Sequence, residues 1–308
     1  MSDTSAVRPT SASTSASDMI VVPNSAGSQR PALLVPRDAC DAHLHIYDDR
    51  FEQAVDASTG LEKATVTEYR LLQKRLGTSR AVIVTPRSYG TDNRVTVDAI
   101  AQLGLQYARG VAVLRSDASD QTMDELDRAG IRGLRFSLYT PKNAAASFEM
   151  VEPLAKRIVR LGWHLQLHWT ADQFVQHADM LERLPCPLVI DHMGRLPQPL
   201  GIQHPAVVLI NRLLDKGDTW VKLSGAYLDS LSGETEGFSD VDAVARHWIA
   251  QAPDRLVWGS DWPHPTEAHK PDDAKLLDLL GHWTRDRAVI EKILVHNPAR
   301  LYGFDAQN

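Results

Sequence analysis

Two histidines close the stretch Ala39-Cys40-Asp41-Ala42-His43-Leu44-His45, which begins as a short apolar, strand-like run. Side chains alternate between the two faces of a strand, so residues at positions i and i+2 project the same way. Both imidazoles are therefore expected to point into one space at a strand end. An acidic counterpart stands far downstream, in Leu256-Val257-Trp258-Gly259-Ser260-Asp261-Trp262-Pro263. This pattern is typical of half of a metal site or of an acid/base site.

Strand-like runs of this kind return along the chain and alternate with amphipathic stretches. Neither a composition break nor a Pro/Gly-rich linker divides the sequence between about residue 37 and residue 304, which predicts a single domain over residues 37–304. The eight strand candidates are Cys40 to His45, Ala81 to Thr85, Gly110 to Leu114, Gly133 to Leu138, Trp163 to His168, Pro187 to His192, Thr219 to Ser224 and Arg255 to Asp261.

Helix-start signals lie between these candidates. Thr65-Val66-Thr67-Glu68 and Thr170-Ala171-Asp172-Gln173 have the spacing of a capping box, while Ser119 and Ser239 are N-cap candidates for two further helices. Eight βα units in this length predict an α/β fold of the (β/α)8 TIM-barrel type. A doubly wound sheet would more often show fewer strands or a Gly-rich first turn.

The ends of the chain and its composition restrict the function. Residues 1–36 are expected to form a disordered Ser/Thr/Ala-rich leader and residues 305–308 a short tail. Lys and Arg total 33 against 39 Asp and Glu, a net charge of −6, which argues against nucleic acid and favours a small-molecule partner. No window is long and apolar enough for a membrane helix. Two cysteines without a disulfide spacing fit a cytoplasmic protein, and the oligomeric state stays open.

Polar residues stand at the carboxyl ends of the predicted strands, where the active site of a TIM barrel lies. Imidazoles and a carboxylate are the ligand types suited to zinc or a similar divalent ion. The alternative is a set of partly buried histidines that are satisfied by their neighbours. No Gly-rich nucleotide motif and no nucleophile elbow occurs, so neither a nucleotide cofactor nor a serine nucleophile is predicted. The strand-end residues are His45, Arg135, His168, His192, Lys222 and Asp261.

The order and contexts of these motifs resemble the amidohydrolase superfamily of the amidohydrolase-2 type. The similarity, over roughly residues 38 to 304, is to the branch of 2-pyrone-4,6-dicarboxylate lactonase and related sugar-acid and muconolactone lactonases. The motifs that carry it are Asp41-Ala42-His43-Leu44-His45, Gly133-Leu134-Arg135-Phe136, Leu165-Gln166-Leu167-His168, Ile190-Asp191-His192-Met193-Gly194-Arg195, Lys222-Leu223-Ser224-Gly225-Ala226-Tyr227, Trp258-Gly259-Ser260-Asp261-Trp262-Pro263-His264-Pro265 and His296-Asn297-Pro298-Ala299-Arg300-Leu301-Tyr302.

This resemblance implies a hydrolase that opens the ester bond of a small carboxylated lactone, with His43, His45, His192 and Asp261 as catalytic residues. Asp261 would be the general base that takes a proton from the attacking water, and His192 would orient or polarise the carbonyl. His43, His45, His168 and Asp261 could also hold one divalent metal ion, with zinc as the first candidate. A metal-free site stays equally open, because the pyrone lactonase resembles a metal-independent type.

Substrate contacts are expected from residues around the mouth. Arg135 and Arg195 could each bind a carboxylate through two parallel hydrogen bonds, or could instead pair with protein groups. Leu228 follows Tyr227 where many relatives carry arginine, so the substrate could have fewer carboxylates than the pyrone dicarboxylate. The other candidates for substrate contact are His168, Tyr47, Lys222 and His264, with weaker signals from Tyr139 and Tyr227. Lys222 could equally serve in structural pairing with a protein group.

Two rival functions remain from this reasoning. Related branches isomerise lactones or decarboxylate acids with the help of a metal, using similar residues on the same barrel. A non-catalytic barrel that binds a small molecule is the other rival, although a binder has no need of a carboxylate facing several imidazoles.

Overall fold

The computed structural model describes residues 19–54 and 63–305, and their strands form one parallel sheet in sequential order. Each strand pairs with the next one along the chain, as expected for βα units. The strands are β1 (Cys40–Leu44), β2 (Arg80–Val84), β3 (Ala108–Ala112), β4 (Ile131–Ser137), β5 (His164–His168), β6 (Leu188–Ile190), β7 (Thr219–Leu223) and β8 (Leu256–Trp258).

The segment after β8 returns to β1 and closes the ring. The backbone N–H of Asp261 donates to the carbonyl of His43 at 2.8 Å, and the N–H of His45 donates to the carbonyl of Trp262 at 2.8 Å. Gly259 permits this approach, because a Cβ there would lie 2.5 Å from Cβ of His43. The predicted (β/α)8 TIM barrel is therefore confirmed.

Helices surround the sheet, and their capping follows the sequence. The carboxylate of Glu68 accepts from the Thr65 N–H at 2.7 Å, and the Thr170 hydroxyl accepts from the Gln173 N–H at 3.1 Å. The helices are α1 (Val66–Leu76), α2 (Arg94–Leu103), α3 (Asp120–Arg128), α4 (Val151–Ile158), α5 (Ala171–Gln176), α6 (Ala178–Arg183), α7 (Ala206–Asp215), α8 (Ala226–Asp229), α9 (Asp242–Gln251), α10 (Asp273–Trp283), α11 (Arg287–Glu291) and α12 (Asn297–Tyr302). None of these described helices could cross a membrane.

Two strands end well before their predicted carboxyl ends. β6 ends at Ile190 and β8 at Trp258, so His192 and Asp261 lie in the loops that follow. Their φ angles are +48° and +64°. Because this left-handed region does not continue a strand, the chain turns at both residues and directs their side chains across the barrel mouth.

Residues 19–36, which precede the predicted domain boundary at residue 37, lie against the barrel. The guanidinium of Arg75 donates to the carbonyls of Gln29 and Ala26, each at 2.8 Å, and the indole of Trp262 donates to the carbonyl of Pro23 at 2.9 Å. Buried donors need acceptors, and the backbone of this segment supplies them. The rest of the predicted leader, residues 1–18, and residues 306–308 of the predicted tail lie outside the described residues.

Candidate active site

A cavity of about 610 Å³ opens at the carboxyl ends of the strands. Its position is the one expected for a TIM barrel. Seven of the predicted site residues line it, namely His45, Tyr47, Arg135, His168, His192, Arg195 and Asp261. His43 lies directly behind His45, while Lys222 and His264 are buried and are not among the lining residues.

Three ligand-type atoms converge at the base of this cavity. The Nε2 atoms of His43 and His45 are 3.3 Å apart, and Oδ1 of Asp261 lies 3.5 Å from the first and 3.6 Å from the second. Two ligands bound 2.0–2.1 Å from a tetrahedral zinc ion would stand about 3.3–3.4 Å apart. The three atoms are thus spaced as ligands of one small divalent ion.

Polar contacts orient both histidines of this pair. Nδ1 of His45 lies 2.7 Å from the carbonyl of Val84. Because a carbonyl can only accept, Nδ1 carries the proton and Nε2 of the neutral ring presents its lone pair. Nδ1 of His43 lies 3.3 Å from Oδ1 of Asp191, a carboxylate contact of the kind that orients metal-binding imidazoles.

Burial keeps the neighbouring imidazoles neutral. It lowers the pKa of His43 and His168 well below the ordinary value, and it also lowers the pKa of His192. A neutral imidazole has a free lone pair and one N–H. The histidines at the cavity base can therefore act as ligands or as hydrogen-bond donors, but not as fixed cations.

His168 is not brought into the three-atom cluster, which corrects the predicted four-ligand set. Its Nδ1 lies 3.0 Å from the hydroxyl of Ser137, and its Nε2 accepts from Nη1 of Arg195 at 3.0 Å. Both ring nitrogens are thus engaged with protein groups. Tyr139 stacks on the same imidazole, with ring centroids 5.3 Å apart.

Arg195 is also largely engaged within the protein. Its Nε and Nη2 donate to the two carboxylate oxygens of Asp229, at 2.8 and 3.1 Å. Its guanidinium also lies over the ring of Tyr139, 4.1 Å from the centroid. Of the two outcomes considered for this arginine, pairing with a protein group is the one observed.

Lys222 lies below the cavity rather than in its wall, contrary to the expectation of substrate contact. Its ammonium donates to the carbonyl of Ala42 and to the amide oxygen of Gln166, both at 2.8 Å, and stands 3.7 Å from Asp191. Burial lowers the pKa of Lys222 to about 8. Burial alone would raise the pKa of Asp191, but the facing His43 and Lys222 outweigh it and hold that pKa well below the ordinary value.

His192 is held by the loop that follows β7. Its Nδ1 lies 3.0 Å from the hydroxyl of Ser224. Gly225 follows with a φ of +63°, and a Cβ at that position would lie 2.8 Å from the same nitrogen. Only glycine allows the two loops to approach this closely.

The Asp261 carboxylate lies among three imidazoles and the hydroxyl of Tyr227. Burial alone would raise its pKa, but the imidazoles of His192, His45 and His43 hold it well below the ordinary value. Its second oxygen, Oδ2, accepts from the hydroxyl of Tyr227 at 2.6 Å. The carboxylate is therefore ionised at neutral pH, as a general base must be.

His264 lies behind Asp261, on the side away from the cavity. Its Nδ1 is 2.9 Å from the Tyr227 hydroxyl, and its Nε2 is 3.1 Å from Oδ1 of Asp273. The residue is fully buried and is not among the residues that line the cavity, so its contact with substrate stays a prediction. Tyr227 likewise faces Asp261 and not the cavity.

Sequence reasoning did not identify several residues of the site. Arg87, Ser137 and Glu267 line the cavity, and Asp191 supports His43 from below. Arg87 and Ser137 stand at the ends of β2 and β4, so the strand-end rule that selected Arg135 could also have selected them. Asp191 had no such signal, because its side chain enters the barrel interior and only the fold brings it next to His43.

Comparisons with known proteins find one family model and several related enzymes. Residues 40–304 match the family model described as amidohydrolase. The chain is 34% identical to a 2-pyrone-4,6-dicarboxylate hydrolase of Comamonas testosteroni, over 90% of this chain and 94% of that protein. It is 32% identical to a 4-sulfomuconolactone hydrolase of Rhizobium radiobacter, over 87% and 91% of the two chains.

A third relative catalyses a different reaction type. A D-galactarolactone isomerase of Agrobacterium fabrum is 28% identical over 87% of this chain and 91% of that protein. Among solved structures, the apo crystal structure of an Agrobacterium tumefaciens protein superposes with a TM-score of 0.84 at 26% identity, covering 92% of this chain and 99% of that one.

Proposed function

The chain belongs to the amidohydrolase family, and from this membership we propose that it is an enzyme that hydrolyses the ester bond of a small carboxylated lactone. The observation that carries the proposal is the convergence of the Asp261 carboxylate with the imidazoles of His43 and His45, at 3.5 and 3.6 Å, at the base of an open cavity. The lactone hydrolases among its relatives support the substrate class.

Asp261 acts as the general base in this proposal. Its carboxylate takes a proton from water while the water oxygen bonds to the lactone carbonyl carbon. The bond between that carbon and the ring oxygen then breaks, and Asp261 returns the proton to the leaving oxygen. The product is the open hydroxy acid, so the net change is the addition of one water.

His192 is the candidate donor to the carbonyl oxygen. When the Ser224 hydroxyl donates to its Nδ1, the proton of the neutral ring is on Nε2, which can donate to the oxygen as negative charge develops there. A donor placed in a buried site is worth more than the same donor in water.

Arg135 is the candidate partner for a substrate carboxylate. In a ring of eight strands β4 lies opposite β8, so Arg135 faces Asp261 across the cavity. Its side chain is 6% exposed, its Nε has no hydrogen-bond partner among the described residues, and Nε is 3.5 Å from Asp191. A buried guanidinium with unused donors is suited to a carboxylate.

The three converging atoms of His43, His45 and Asp261 also fit a zinc ion, because two imidazole nitrogens and a carboxylate oxygen, the ligand types that zinc prefers, meet at one point. Such an ion, when bound, would polarise the carbonyl and lower the pKa of water. His43 and His45 would hold it through Nε2 and Asp261 through Oδ1. Metal analysis of the purified protein decides between a zinc-loaded and a metal-free site.

A panel of carboxylated lactones, followed by proton release, tests the function. We expect the parent protein to open at least one of them and Asp261→Asn to lower kcat by about 10²–10⁴-fold, with the circular dichroism spectrum and Tm retained. Asp215→Asn, on the outer helix α7, is the matched control and should keep the parental rate. Equal rates for Asp261→Asn and the parent would refute the assigned base.

Lactone isomerisation is the second candidate, and the isomerase among the relatives favours it. The same base could remove a proton at one oxygen and return it at another without the addition of water. Mass spectrometry of the product separates the reactions, because hydrolysis adds the mass of water, isomerisation conserves mass and decarboxylation releases carbon dioxide. Saturable binding with unchanged ligand would instead indicate a binding protein.

A further inference from the structure

A chain of buried polar side chains runs from the base of the cavity into the protein. The Tyr227 hydroxyl donates to Oδ2 of Asp261 at 2.6 Å and lies 2.9 Å from Nδ1 of His264, and Nε2 of His264 lies 3.1 Å from Oδ1 of Asp273. We infer that Tyr227 and His264 are positioning residues that fix the orientation of the Asp261 carboxylate, with Asp273 as the buried partner of His264. This inference rests on the proposed role of Asp261 as general base.

The direction of each hydrogen bond follows from the groups themselves. An ionised carboxylate only accepts, so the single hydroxyl proton of Tyr227 points to Asp261. The Tyr227 oxygen must then accept from His264, which places a proton on Nδ1. The remaining contact joins Nε2 of His264 to Oδ1 of Asp273 at 3.1 Å. The two links nearest to Asp261, from His264 to Tyr227 and from Tyr227 to the carboxylate, are therefore both directed toward Asp261.

The chain joins three separate parts of the barrel. Tyr227 lies in α8 after β7, His264 in the loop after β8, and Asp273 in the first turn of α10. The side chains of His264 and Asp273 are completely buried. Burying such groups is costly unless they are paired. Asp273 contacts His264 through Oδ1, while its Oδ2 has no hydrogen-bond partner among the described residues. The contact with His264 therefore offsets most of the cost of burying this carboxylate.

The geometry at Asp261 shows what these contacts accomplish. Tyr227 engages Oδ2, which leaves Oδ1 to face His43 and His45 at 3.5 and 3.6 Å. Asp261 and His264 both have φ in the left-handed region, at +64° and +54°. Such backbone conformations are held by surrounding contacts. Without the Tyr227 hydroxyl, the carboxylate would be free to rotate and would present the reacting oxygen less often.

Tyr227→Phe removes the hydroxyl and keeps the ring. We expect kcat on the responsive lactone to fall by about ten- to a hundredfold, the range for losing a hydrogen bond to a charged group, while KM changes by less than about threefold. Tyr302→Phe is the matched control, because the Tyr302 hydroxyl is buried and has no hydrogen-bond partner among the described residues. It should keep the parental kcat.

Two substitutions of His264 separate positioning from simple packing. His264→Asn places an amide N–H near the former Nδ1 and tolerates the left-handed backbone, whereas His264→Gln places its amide near the former Nε2. We expect the Asn variant to stay within about threefold of the parental kcat and the Gln variant to fall about tenfold. Equal kcat for the two variants at equal Tm, or parental kcat for Tyr227→Phe, would overturn the inference.

Crystal structures of the parent and of Tyr227→Phe give a readout that does not depend on lactone turnover. We expect the 2.6 Å contact in the parent and a rotated Asp261 carboxylate in the variant. If the parent opens no lactone but the carboxylate rotates, the proposed function fails while the positioning role stands. If the carboxylate keeps its orientation without the hydroxyl, the positioning role fails whatever the activity.

Discussion

Arg195 donates a hydrogen bond from Nη1 to Nε2 of His168 at 3.0 Å, and this contact decides what His168 can do. A nitrogen that accepts from a guanidinium cannot offer the same lone pair to a metal ion. Nδ1 of His168 is engaged as well, by Ser137. His43, His45 and Asp261 still form a compact group of ligand-type atoms at the cavity base, and His168 belongs to the cavity wall.

Zinc affinity should therefore depend on His45 and not on His168. For the chelator-treated protein, we expect isothermal titration to show one zinc site in the parent. His45→Gln should weaken its affinity by more than about 100-fold, since loss of an outer partner alone costs about 10–100-fold. His168→Gln should stay within about threefold of the parent. Equal losses of zinc affinity in the two variants would show that His168 is also a ligand. If the parent bound no zinc, the three-atom site would be refuted.

Arg135→Gln should weaken the use of carboxylated lactones selectively. The substitution removes the charge that faces Asp261 across the cavity, and a charge-assisted contact of this kind is worth about 10–100-fold. We expect kcat/KM to fall by that factor for a carboxylated lactone and by much less for a neutral lactone of the same ring size. Arg212→Gln, on the outer surface of α7, is the control. A uniform loss on both lactones would contradict the assignment.

The barrel could be predicted from the sequence because each of its units carries a local signal. The apolar runs and the caps at Thr65 and Thr170 depend on neighbours within a few residues, and the structure retains them. The ends of β6 and β8 could not be predicted, since they are set by the left-handed turns at His192 and Asp261. The contacts of residues 19–36 could not be predicted either, because the donors that hold this segment belong to distant residues such as Arg75.

The candidate site was predictable only in part, for the same physical reason. The strand-end rule places His45, Arg135 and Asp261 at the cavity, but it does not tell whether a polar side chain is directed up into the cavity or down into the barrel. Lys222 is directed inward, toward Gln166. That orientation depends on contacts between strands, which no single segment of the sequence encodes.

Lys222→Met should destabilise the fold rather than impair substrate binding. The variant would leave the buried Asp191 without its ammonium neighbour at 3.7 Å, and breaking a buried ion pair costs about 3–5 kcal/mol. We expect the free energy of unfolding in urea to fall by about that amount at pH 7. The double variant Lys222→Met/Asp191→Asn should recover part of the loss, since it removes both charges. If the Lys222→Met protein kept the parental stability but had a raised KM, the result would show instead that Lys222 takes part in substrate binding.

His164 should make the stability of the barrel sensitive to acid. Burial, with a smaller contribution from the Lys222 charge, lowers the pKa of His164 to about 3 from an ordinary value of 6.5. Between these two values the unfolded chain binds one more proton than the folded protein. The free energy of unfolding should thus be fully maintained above pH 6.5 and should fall by about 1.4 kcal/mol per pH unit from this residue as the pH drops toward 3.

His164→Leu removes the imidazole that binds this proton. Its effect is measured as the slope of the free energy of unfolding against pH, not as the absolute stability. Any packing cost of the substitution shifts the whole curve equally, so it leaves the dependence on pH intact. We expect urea unfolding between pH 6.5 and pH 4.5 to show a slope that is shallower in the variant by up to about 1.4 kcal/mol per pH unit. Parallel curves for the two proteins would mean that His164 does not carry this proton, and that other buried groups account for any loss of stability in acid.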